Sequence, residues 1–455
     1  MSTTKFDLIV LGGGNAITVA IKAAQAGKSV AVIEKDLLGG ACPNRGCIPS
    51  KLYLGFADAA DHIRESSRFY IEAEIKSIDQ KRILNEVADA TIRATDGKIA
   101  KNLPESIELI RGDGRFVSDH KIAIGDREVE GDTILIGTGS RPFVPSTPGI
   151  EGSPYWTSDD VFDLDHAPDS ITIVGGGYIA CELGQFFQGI GVETTLLVRG
   201  DTMLRNEDKE IRAVFQPAFS KKLNVKLNTS IKSVTHDAGK FSFDLDEDGT
   251  GVKHSSEALL FAVGRKSNAD EIGLEKTAIK VSEKGHVVVD EFLQTTVKGV
   301  YALGDVIGSH QFTHSAAFAA TYMSNVLLEG HDAPLCYPPM PHAVFSSPEI
   351  AGVGLTEDEL EGGSENYHCA SLPYTSAAKG RAVKEMNGLC KFILADDGRI
   401  LGCHIVGYQA SVLIHEVIPV MMWRNHISSL TEIIHIHPSL SEVVRNTARK
   451  AAAML

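Results

Sequence analysis

The chain has 455 residues, of which 23% are charged and 43% are hydrophobic. This length predicts two to four domains with cores of their own. The 59 acidic and 44 basic residues leave a formal net charge of −15, which disfavours nucleic acid as a partner because like charges repel. The sequence contains no run of about 18 apolar residues, so no membrane span is predicted. The first residues also lack the pattern of a signal peptide. We therefore expect a cytoplasmic protein. Seven cysteines are too few, and odd in number, for a secreted disulfide scaffold.

A strand, glycine turn, helix and second strand follow one another twice along the chain. The first copy has a predicted strand at 8–11, a glycine turn at 12–14, a helix to Ala26 and a strand at 30–33 that leads into Glu34. The second copy has a strand at 171–174, a turn at 175–177, a helix to about Ile190 and a strand at 194–198. Glycines at such a turn let the backbone approach a pyrophosphate, and the helix N-terminus offers free N–H groups. A single copy often serves packing alone, whereas two copies favour two dinucleotide sites.

Two segments rich in proline and glycine, 140–152 and 331–341, are predicted to connect domains. The block after about Pro338 has a predicted hairpin, with strands at 389–394 and 400–406 joined by a turn at 396–398. A predicted helix over 410–424 follows it. This pattern is typical of an α+β domain whose apolar sheet face makes an oligomer contact.

Two closely spaced cysteines, Cys42 and Cys47, give the sharpest local signal. A disulfide needs Cα atoms roughly 4.4–6.8 Å apart, whereas five residues of regular helix rise about 7.5 Å. Bridging therefore requires a distorted first helical turn, which Pro43, Gly46 and Pro49 would permit. A helix N-terminus would also lower the thiol pKa. The pair could instead be two buried hydrophobes or half of a zinc site, but no second close pair exists, and a reactive dithiol is favoured.

These cysteines, both glycine turns and the segments 138–142, 301–305 and 435–442 together resemble the class I pyridine nucleotide–disulfide oxidoreductases over nearly the whole chain. Members include glutathione, mycothione and mercuric reductases and dihydrolipoamide dehydrogenase. The resemblance implies an α/β fold with two Rossmann-like domains, for FAD and NAD(P)H, and a C-terminal α+β dimerisation domain. The implied segments are 1–145 for FAD, 146–265 for NAD(P)H, 266–336 as a central segment completing the FAD domain, and 337–455 for dimerisation.

By this resemblance the first turn binds FAD, Glu34 bonds the adenosine ribose and Asp305 holds the ribityl chain. The implied FAD-binding residues are Gly12, Gly14, Glu34, Lys51, Thr138, Gly139 and Asp305. The implied nicotinamide-binding residues are Gly175, Gly177, Tyr178, Arg199 and Arg205, with Tyr178 covering the nicotinamide pocket before the cofactor binds. One residue departs from the family pattern: Ile17 replaces the third glycine of the FAD turn, so helix and strand are expected to lie slightly further apart.

The second copy favours NADPH over NADH, although NADH stays possible. An acid at the end of the second strand accepts from a ribose 2′-OH, and Glu34 is such an acid in the first copy. The equivalent residue of the second copy is Val198, followed by Arg199 and Arg205. Two guanidinium groups would attract a 2′-phosphate. The alternative is that both arginines are ordinary solvated surface residues.

The resemblance also implies the catalytic roles. Cys47 is the thiol against the flavin, and Cys42 exchanges with the substrate disulfide. His437, oriented by Glu442, is the acid and base, and it comes from the partner subunit, which implies a homodimer with shared active sites. Lys51 and Glu182 match an ion pair beside the flavin, with an ordinary salt bridge as the alternative. We predict no metal site, although His435 and His437 could be taken for a metal pair.

The substrate is less defined than the family. We predict an NADPH-dependent reductase of a low-molecular-weight disulfide, because segments 264–270 and 407–411 are similar to mycothione reductase. Dihydrolipoamide dehydrogenase is the alternative, since segments 48–51 and 435–442 resemble it. Mercuric reductase is less favoured, because the last residues lack a cysteine pair. A flavin- and nucleotide-binding sensor without turnover also stays open.

Overall fold

The computed structural model describes residues 4–455. The first motif copy builds a mostly parallel sheet in the order β3-β2-β1-β6-β5-β4. Its strands are β1 (Thr4–Leu11), β2 (Val30–Glu34), β3 (Ile107–Arg111), β4 (Gly114–Ser118), β5 (Lys121–Ile124) and β6 (Arg127–Ile136), followed by the short β7 (Ser140–Pro142). Its helices are α1 (Ile17–Gln25), α2 (Ala41–Arg45), α3 (Cys47–Arg64), α4 (Gln80–Ala90) and α5 (Thr95–Lys101).

The second motif copy builds a parallel five-stranded sheet in the order β11-β10-β9-β15-β8. The strands of this part are β8 (Trp156–Thr157), β9 (Ser170–Val174), β10 (Glu193–Leu197), β11 (Asn224–Lys226), β12 (Thr229–Asp237), β13 (Lys240–Glu247), β14 (Thr250–Ser256), β15 (Ala258–Phe261) and β16 (Arg265–Ser267). Its helices are α6 (Tyr178–Gly189) and α7 (Lys209–Phe219). β12, β13 and β14 form a separate antiparallel sheet, and β16 pairs with β7.

The chain then returns to the first sheet. β17 (Val300–Ala302) pairs in parallel with β6, and the long helix α8 (Thr313–Glu329) follows it and packs on α1. Because parallel strands meet with their carboxyl ends at one edge, this return places the segment after β17 beside the first glycine turn.

The last part of the chain forms an antiparallel sheet in the order β18-β19-β22-β21-β20. Its strands are β18 (His342–Val344), β19 (Ile350–Gly354), β20 (Tyr367–Pro373), β21 (Leu389–Ala395) and β22 (Ile400–Val406). Its helices are α9 (Glu357–Leu360), α10 (Ala378–Ala382), α11 (Ala410–Leu413), α12 (Ile418–Trp423), α13 (Ser428–Thr431) and α14 (Ser441–Ala452). α14 packs across β20 and β21, over a core of alternating strand residues.

The predicted α/β class and the predicted hairpin are confirmed, because β21 and β22 pair in antiparallel register. The prediction of one continuous helix over 410–424 is wrong. The segment forms α11, a 3₁₀ turn at Ile414–Glu416 and then α12. Pro419 lies in the first turn of α12, where its missing N–H costs nothing; inside a longer helix it would break a hydrogen bond. Within residues 4–455 no helix has the length and apolar character needed to cross a membrane.

Candidate active site

One cavity of about 2200 Å³ brings together most of the residues predicted from the sequence. Both glycine turns line it, as do both cysteines, Lys51 and Glu182. The remaining predicted residues that line it are Glu34, Thr138, Gly139, Tyr178, Arg199, Arg205 and Asp305. His437 and Glu442 are the predicted residues that do not line it.

The first glycine turn requires glycine for steric reasons. Gly12 has φ +106°, and a Cβ there would lie 2.4 Å from the carbonyl oxygen of Gly137. At the end of β2, the Glu34 carboxylate accepts hydrogen bonds from the backbone N–H groups of Gly13 (2.6 Å) and Asp36 (2.8 Å). Ile17, which stands in place of the third glycine, is the first residue of α1. Its side chain is buried in the core between the helix and the sheet, which accommodates it by packing.

Two polar groups near the end of β6 face the same cavity. The buried Thr138 hydroxyl has no hydrogen-bond partner within residues 4–455. The Asp305 carboxylate accepts a hydrogen bond from the Ser140 hydroxyl at 2.6 Å. Because buried polar atoms in native proteins are nearly always paired, the unpaired Thr138 hydroxyl points to a ligand at this place.

The second glycine turn has the same geometry. Gly175 has φ +136°, and a Cβ there would lie 2.3 Å from the carbonyl oxygen of Ala262. Val198 is buried, so no carboxylate occupies the position that would contact a ribose 2′-OH. Arg199 and Arg205 are exposed at the cavity, and neither forms an ion pair with a carboxylate of residues 4–455.

The cysteine pair lies across a break between two helices. Cys42 is in the short α2, Gly46 interrupts the helix, and Cys47 is the first residue of α3. A Cβ at Gly46 would lie 3.0 Å from the carbonyl oxygen of Ala41, so glycine allows the close turn. The distortion that the spacing requires is therefore a complete break in the helix. Both cysteines are free thiols within residues 4–455, so the contacts described next are those of the unbridged pair.

The two thiols differ in acidity. A hydrogen bond from Cys42 to the Cys47 sulfur raises the pKa of Cys42 well above its usual value and lowers the pKa of Cys47 to about 6. The Thr313 hydroxyl, 3.5 Å from the Cys47 sulfur, and the Lys51 ammonium favour the Cys47 thiolate further. Burial raises the pKa of Cys47, but this effect is smaller than that of the hydrogen bond from Cys42. Cys47 is therefore the thiolate of the reduced pair near neutral pH, and Cys42 is the thiol.

Lys51 and Glu182 form a close ion pair beside the cysteines. The Lys51 Nζ lies 2.7 and 2.9 Å from the two carboxylate oxygens of Glu182, which also accepts the Phe345 N–H at 3.1 Å. The same ammonium lies 4.6 Å from the centre of the Phe345 ring. The contact fixes Lys51 one helical turn after Cys47, so its positive charge is held at the redox pair.

The predicted acid–base pair lies away from the cavity. His437 Nδ1 is 3.0 and 3.2 Å from the two carboxylate oxygens of Glu442. The bond from His437, with those from the Ser439 N–H and Arg445, holds the pKa of Glu442 at about 2, so Glu442 is a carboxylate. The His437 side chain is 72% exposed. It stands beside a surface of exposed apolar residues, which we call the apolar face; it consists of Val412, Met422, Trp423, Ile433, Ile434 and Ile436.

The structure adds residues near the cavity that the sequence did not indicate. Thr313, at the start of α8, contacts Cys47, and Glu207 and His342 surround the hydroxyl and ring of Tyr178. These residues belong to no motif. Thr313 is 266 residues from Cys47, and His342 is 135 residues from Glu207, so no local pattern links them. Of these residues, only Glu207 lies close in sequence to a predicted site residue, two positions after Arg205.

Two family models match this chain. The model described as pyridine nucleotide-disulphide oxidoreductase matches residues 6–320, and the model for the dimerisation domain of the same family matches residues 340–448. The chain belongs to the pyridine nucleotide-disulphide oxidoreductase family. Enzymes of this family are flavoprotein disulfide oxidoreductases that use FAD and NAD(P)H.

Curated relatives match along nearly the whole chain. A dihydrolipoyl dehydrogenase of Bacillus subtilis is 32% identical, with 98% of each chain covered. A mycothione reductase of Mycobacterium tuberculosis is also 32% identical, with 98% of this chain and 99% of the relative covered. A mercuric reductase of Staphylococcus aureus is 28% identical, covering 97% of this chain and 82% of the relative.

A solved structure has the same fold. It is a Cu(II) complex of the HOCl-induced flavoprotein disulfide reductase RclA from Escherichia coli, with a TM-score of 0.87 and 26% identity. The match covers 99% of this chain and all of that one. Relatives that act on different substrates are thus about equally similar to this chain.

The cavity fits the family's cofactors. Its volume is large enough for two dinucleotides, and the glycine turns leave backbone open where phosphates would approach. The unpaired Thr138 hydroxyl is a second independent sign of a ligand on the FAD side. Gly12, Gly14, Glu34, Thr138, Gly139 and Asp305 would hold FAD, and the residues around the second turn would hold the nicotinamide nucleotide.

Proposed function

We propose that this protein is an NADPH-dependent reductase of a low-molecular-weight disulfide. One observation carries the proposal: the Cys42–Cys47 dithiol opens on the same cavity as both glycine turns, and the second turn carries Arg199 and Arg205, which have no carboxylate partner in the described part of the chain. The dithiol supports disulfide exchange, and the arginines support a nucleotide with a 2′-phosphate. We propose that the enzyme acts in the cytoplasm.

NADPH is preferred because of charge at the end of β10. The buried Val198 offers no acceptor for a ribose hydroxyl, and the two guanidinium groups that follow have no carboxylate partner within residues 4–455. A 2′-phosphate would therefore find two cations without having to displace an existing ion pair.

FAD, when bound, supplies the hydride chemistry that links NADPH to the cysteine pair. The chain's own part is to place the redox sulfurs and hold charge beside them. The Lys51 ammonium, held by Glu182, stabilises negative charge at the Cys47 sulfur. Thr313 holds that sulfur in place through its hydroxyl.

Cys42 carries out the exchange with substrate. Its sulfur, after losing a proton to a base, attacks one sulfur of the substrate disulfide; a mixed disulfide forms, and one substrate thiolate leaves and is protonated. The Cys47 thiolate then attacks the Cys42 sulfur. This step restores the Cys42–Cys47 disulfide and releases the second substrate thiol, so two electrons have passed from the dithiol to the substrate.

His437 of the partner subunit is the proposed base and acid. His437 does not line the cavity of its own chain, but it is exposed beside the apolar face, and the chain carries the family's dimerisation domain. Glu442, held ionised, accepts from Nδ1 and leaves Nε2 free for the proton of Cys42. Each active site is thus completed by the second subunit.

Dihydrolipoamide dehydrogenase is the second candidate. It is supported by the 32% identity to the Bacillus subtilis enzyme and by the segment 435–442. It would run the same cysteine chemistry in the opposite direction and would use NAD. The missing acid at Val198 counts against this candidate.

A panel of substrates tests the proposal. The purified holoenzyme is assayed with NADPH and with NADH against oxidised lipoamide, glutathione, mycothiol and bis-γ-glutamylcystine, and with Hg²⁺. We expect turnover of one small disulfide with NADPH. Fast NAD reduction by dihydrolipoamide would favour the second candidate. Cofactor binding without reduction of any disulfide would contradict the proposal and favour a sensor.

A further inference from the structure

Three side chains from distant parts of the chain meet at the second glycine turn. The Tyr178 hydroxyl donates a hydrogen bond to one carboxylate oxygen of Glu207. His342 Nε2 lies 2.9 Å from the other oxygen. Glu207 is only 1% exposed, so its carboxylate depends on these two partners instead of water. We call this group the Tyr178 latch.

Ring packing holds the same tyrosine. The Tyr178 ring lies nearly parallel to the ring of His342, with centroids 6.2 Å apart and planes 12° apart. It is also nearly parallel to Phe312, at 6.4 Å and 16°. His342 and Phe312 are themselves nearly parallel, with centroids 6.4 Å apart, so the three rings form one cluster. The tyrosine is thus held by its hydroxyl and by this ring cluster.

The latch joins three parts of the nicotinamide site. Tyr178 begins α6 directly after the glycine turn. Glu207 ends the loop that carries Arg199 and Arg205, and the Leu204 N–H on this loop donates to the carbonyl oxygen of Gly176 at 2.7 Å. His342 comes from β18, at the edge of the C-terminal sheet. A movement of Tyr178 therefore changes the partners of a residue on the arginine loop.

We propose that Glu207 and His342 are positioning residues that hold Tyr178 closed over the nicotinamide pocket and set how readily the pocket opens. This rests on the proposed function and on the covering role that the family resemblance implies for Tyr178. When Tyr178 swings away, Glu207 loses one donor and keeps His342, so the buried carboxylate is not left unpaired. Glu207 thus stabilises the closed form through Tyr178, and His342 lowers the cost of opening by keeping the Glu207 carboxylate hydrogen-bonded.

The latch gives opposite expectations for its two donors. Because only the open form binds the cofactor, the apparent dissociation constant rises as the open fraction falls. Tyr178→Phe keeps the ring and removes the hydroxyl, so the open form becomes more populated. His342→Phe keeps an aromatic ring and removes the second donor. Opening then leaves the Glu207 carboxylate without a hydrogen-bond donor, so the open form becomes less populated.

The test is a titration of the oxidised holoenzyme with NADP⁺, which binds without reacting, followed by calorimetry or flavin absorbance. We expect Tyr178→Phe to bind NADP⁺ about three- to thirtyfold more tightly and His342→Phe to bind it more weakly by a similar factor. In the Tyr178→Phe background, His342→Phe should lose its effect. The control is Tyr155→Phe. Tyr155 packs edge-on to Phe261 in the same region, and its replacement should not change the affinity for NADP⁺.

The outcomes separate the latch from the proposed function. Equal affinities of Tyr178→Phe and the parent, or shifts in the same direction for both donor variants, would overturn the latch alone. A parent protein that binds neither NADP⁺ nor NAD⁺ would overturn the proposed function and the latch with it. If His342→Phe does not fold, His342→Gln, which keeps a donor, must bind NADP⁺ as the parent does, and Tyr178→Phe must still bind it more tightly.

Discussion

Cys47 and Cys42 differ because of a few contacts made by single side chains. The Cys47 thiolate is favoured by the Cys42 thiol, by the Thr313 hydroxyl and by the Lys51 ammonium, whereas Cys42 keeps its proton. The hydrogen bond between the two sulfurs shifts their pKa values in opposite directions, whereas Thr313 and Lys51 lower the pKa of both.

The acidity of Cys47 gives the first prediction. Because its pKa is lowered to about 6, the thiolate is present above that pH and is lost as the pH falls through it. In the two-electron-reduced holoenzyme, the long-wavelength thiolate–flavin absorption should therefore fade below about pH 6. Cys42→Ser should retain this absorption and Cys47→Ser should lack it. The reverse pattern would exchange the roles of the two cysteines.

The two arginines give the second prediction. Charge-assisted hydrogen bonds contribute roughly 1.5–3 kcal/mol each, so two of them supply a preference for NADPH of at least about a hundredfold. Arg199→Ala combined with Arg205→Ala should remove this preference, with little change for NADH. The measurement is the rate of flavin reduction by each nucleotide in stopped flow. Arg399→Ala, at an exposed ion pair of the C-terminal sheet, is the control. Equal rates in the parent would contradict the assignment.

At the scale of elements, the glycine turns fix where the cofactors would lie. Gly12 is needed because both its positive φ and the carbonyl of Gly137 exclude a side chain. The same two constraints recur at Gly175 and Ala262, in the second copy of the motif.

Gly12→Ala gives the third prediction. A Cβ at 2.4 Å from a backbone oxygen forces β1 and the segment after β6 apart, so the FAD site is distorted. We expect the purified variant to retain much less flavin, measured by the ratio of flavin absorbance at about 450 nm to protein absorbance at about 280 nm. We also expect it to melt at a lower temperature. Gly55→Ala, on the exposed face of α3 with open space around it, should keep its flavin and gain up to about 1 kcal/mol of stability.

The elements also show what the sequence could predict. The two strand–turn–helix units were predictable because their glycine pattern is local, and their observed bounds differ by a few residues at most. The helix over 410–424 was predicted wrongly because its apolar spacing suggested continuity, whereas Pro419 and the sheet beneath it impose a break. The contact of Glu207 with His342 joins positions 135 residues apart, and no local pattern encodes it.

At the scale of the molecule, the two parts of the proposed active site lie apart in one chain. The dithiol faces the cavity, but the His437–Glu442 pair is exposed at the apolar face. Apolar surface of this kind is stabilised by burial against a partner. We propose that a dimer buries this face and brings each His437 to the cysteines of the other subunit.

Subunit mixing gives the fourth prediction. His437→Ala should slow disulfide reduction by roughly 10²–10⁴, and Cys42→Ser should abolish it. When the two inactive variants are unfolded and refolded together with FAD, half of the dimers are mixed, and one of their two sites has both intact residues. About one quarter of the parental rate should return. Each variant refolded alone is the control, and no recovery in the mixture would mean that His437 acts within its own chain.

The return of β17 to the first sheet affects how the protein is made. β6 ends at Ile136 and pairs in parallel with β1, but its second parallel neighbour begins only at Val300, after the whole second sheet. On a ribosome, the first sheet therefore waits for its last strand on the order of ten to thirty seconds after β6 has been synthesised. Throughout that delay the C-terminal part of β6, at Ile134–Ile136, stays open for pairing on the side away from β1, whereas residues 127–130 already pair with β5. A nascent chain stalled before residue 300 should therefore be more prone to capture by chaperones than one stalled after α8.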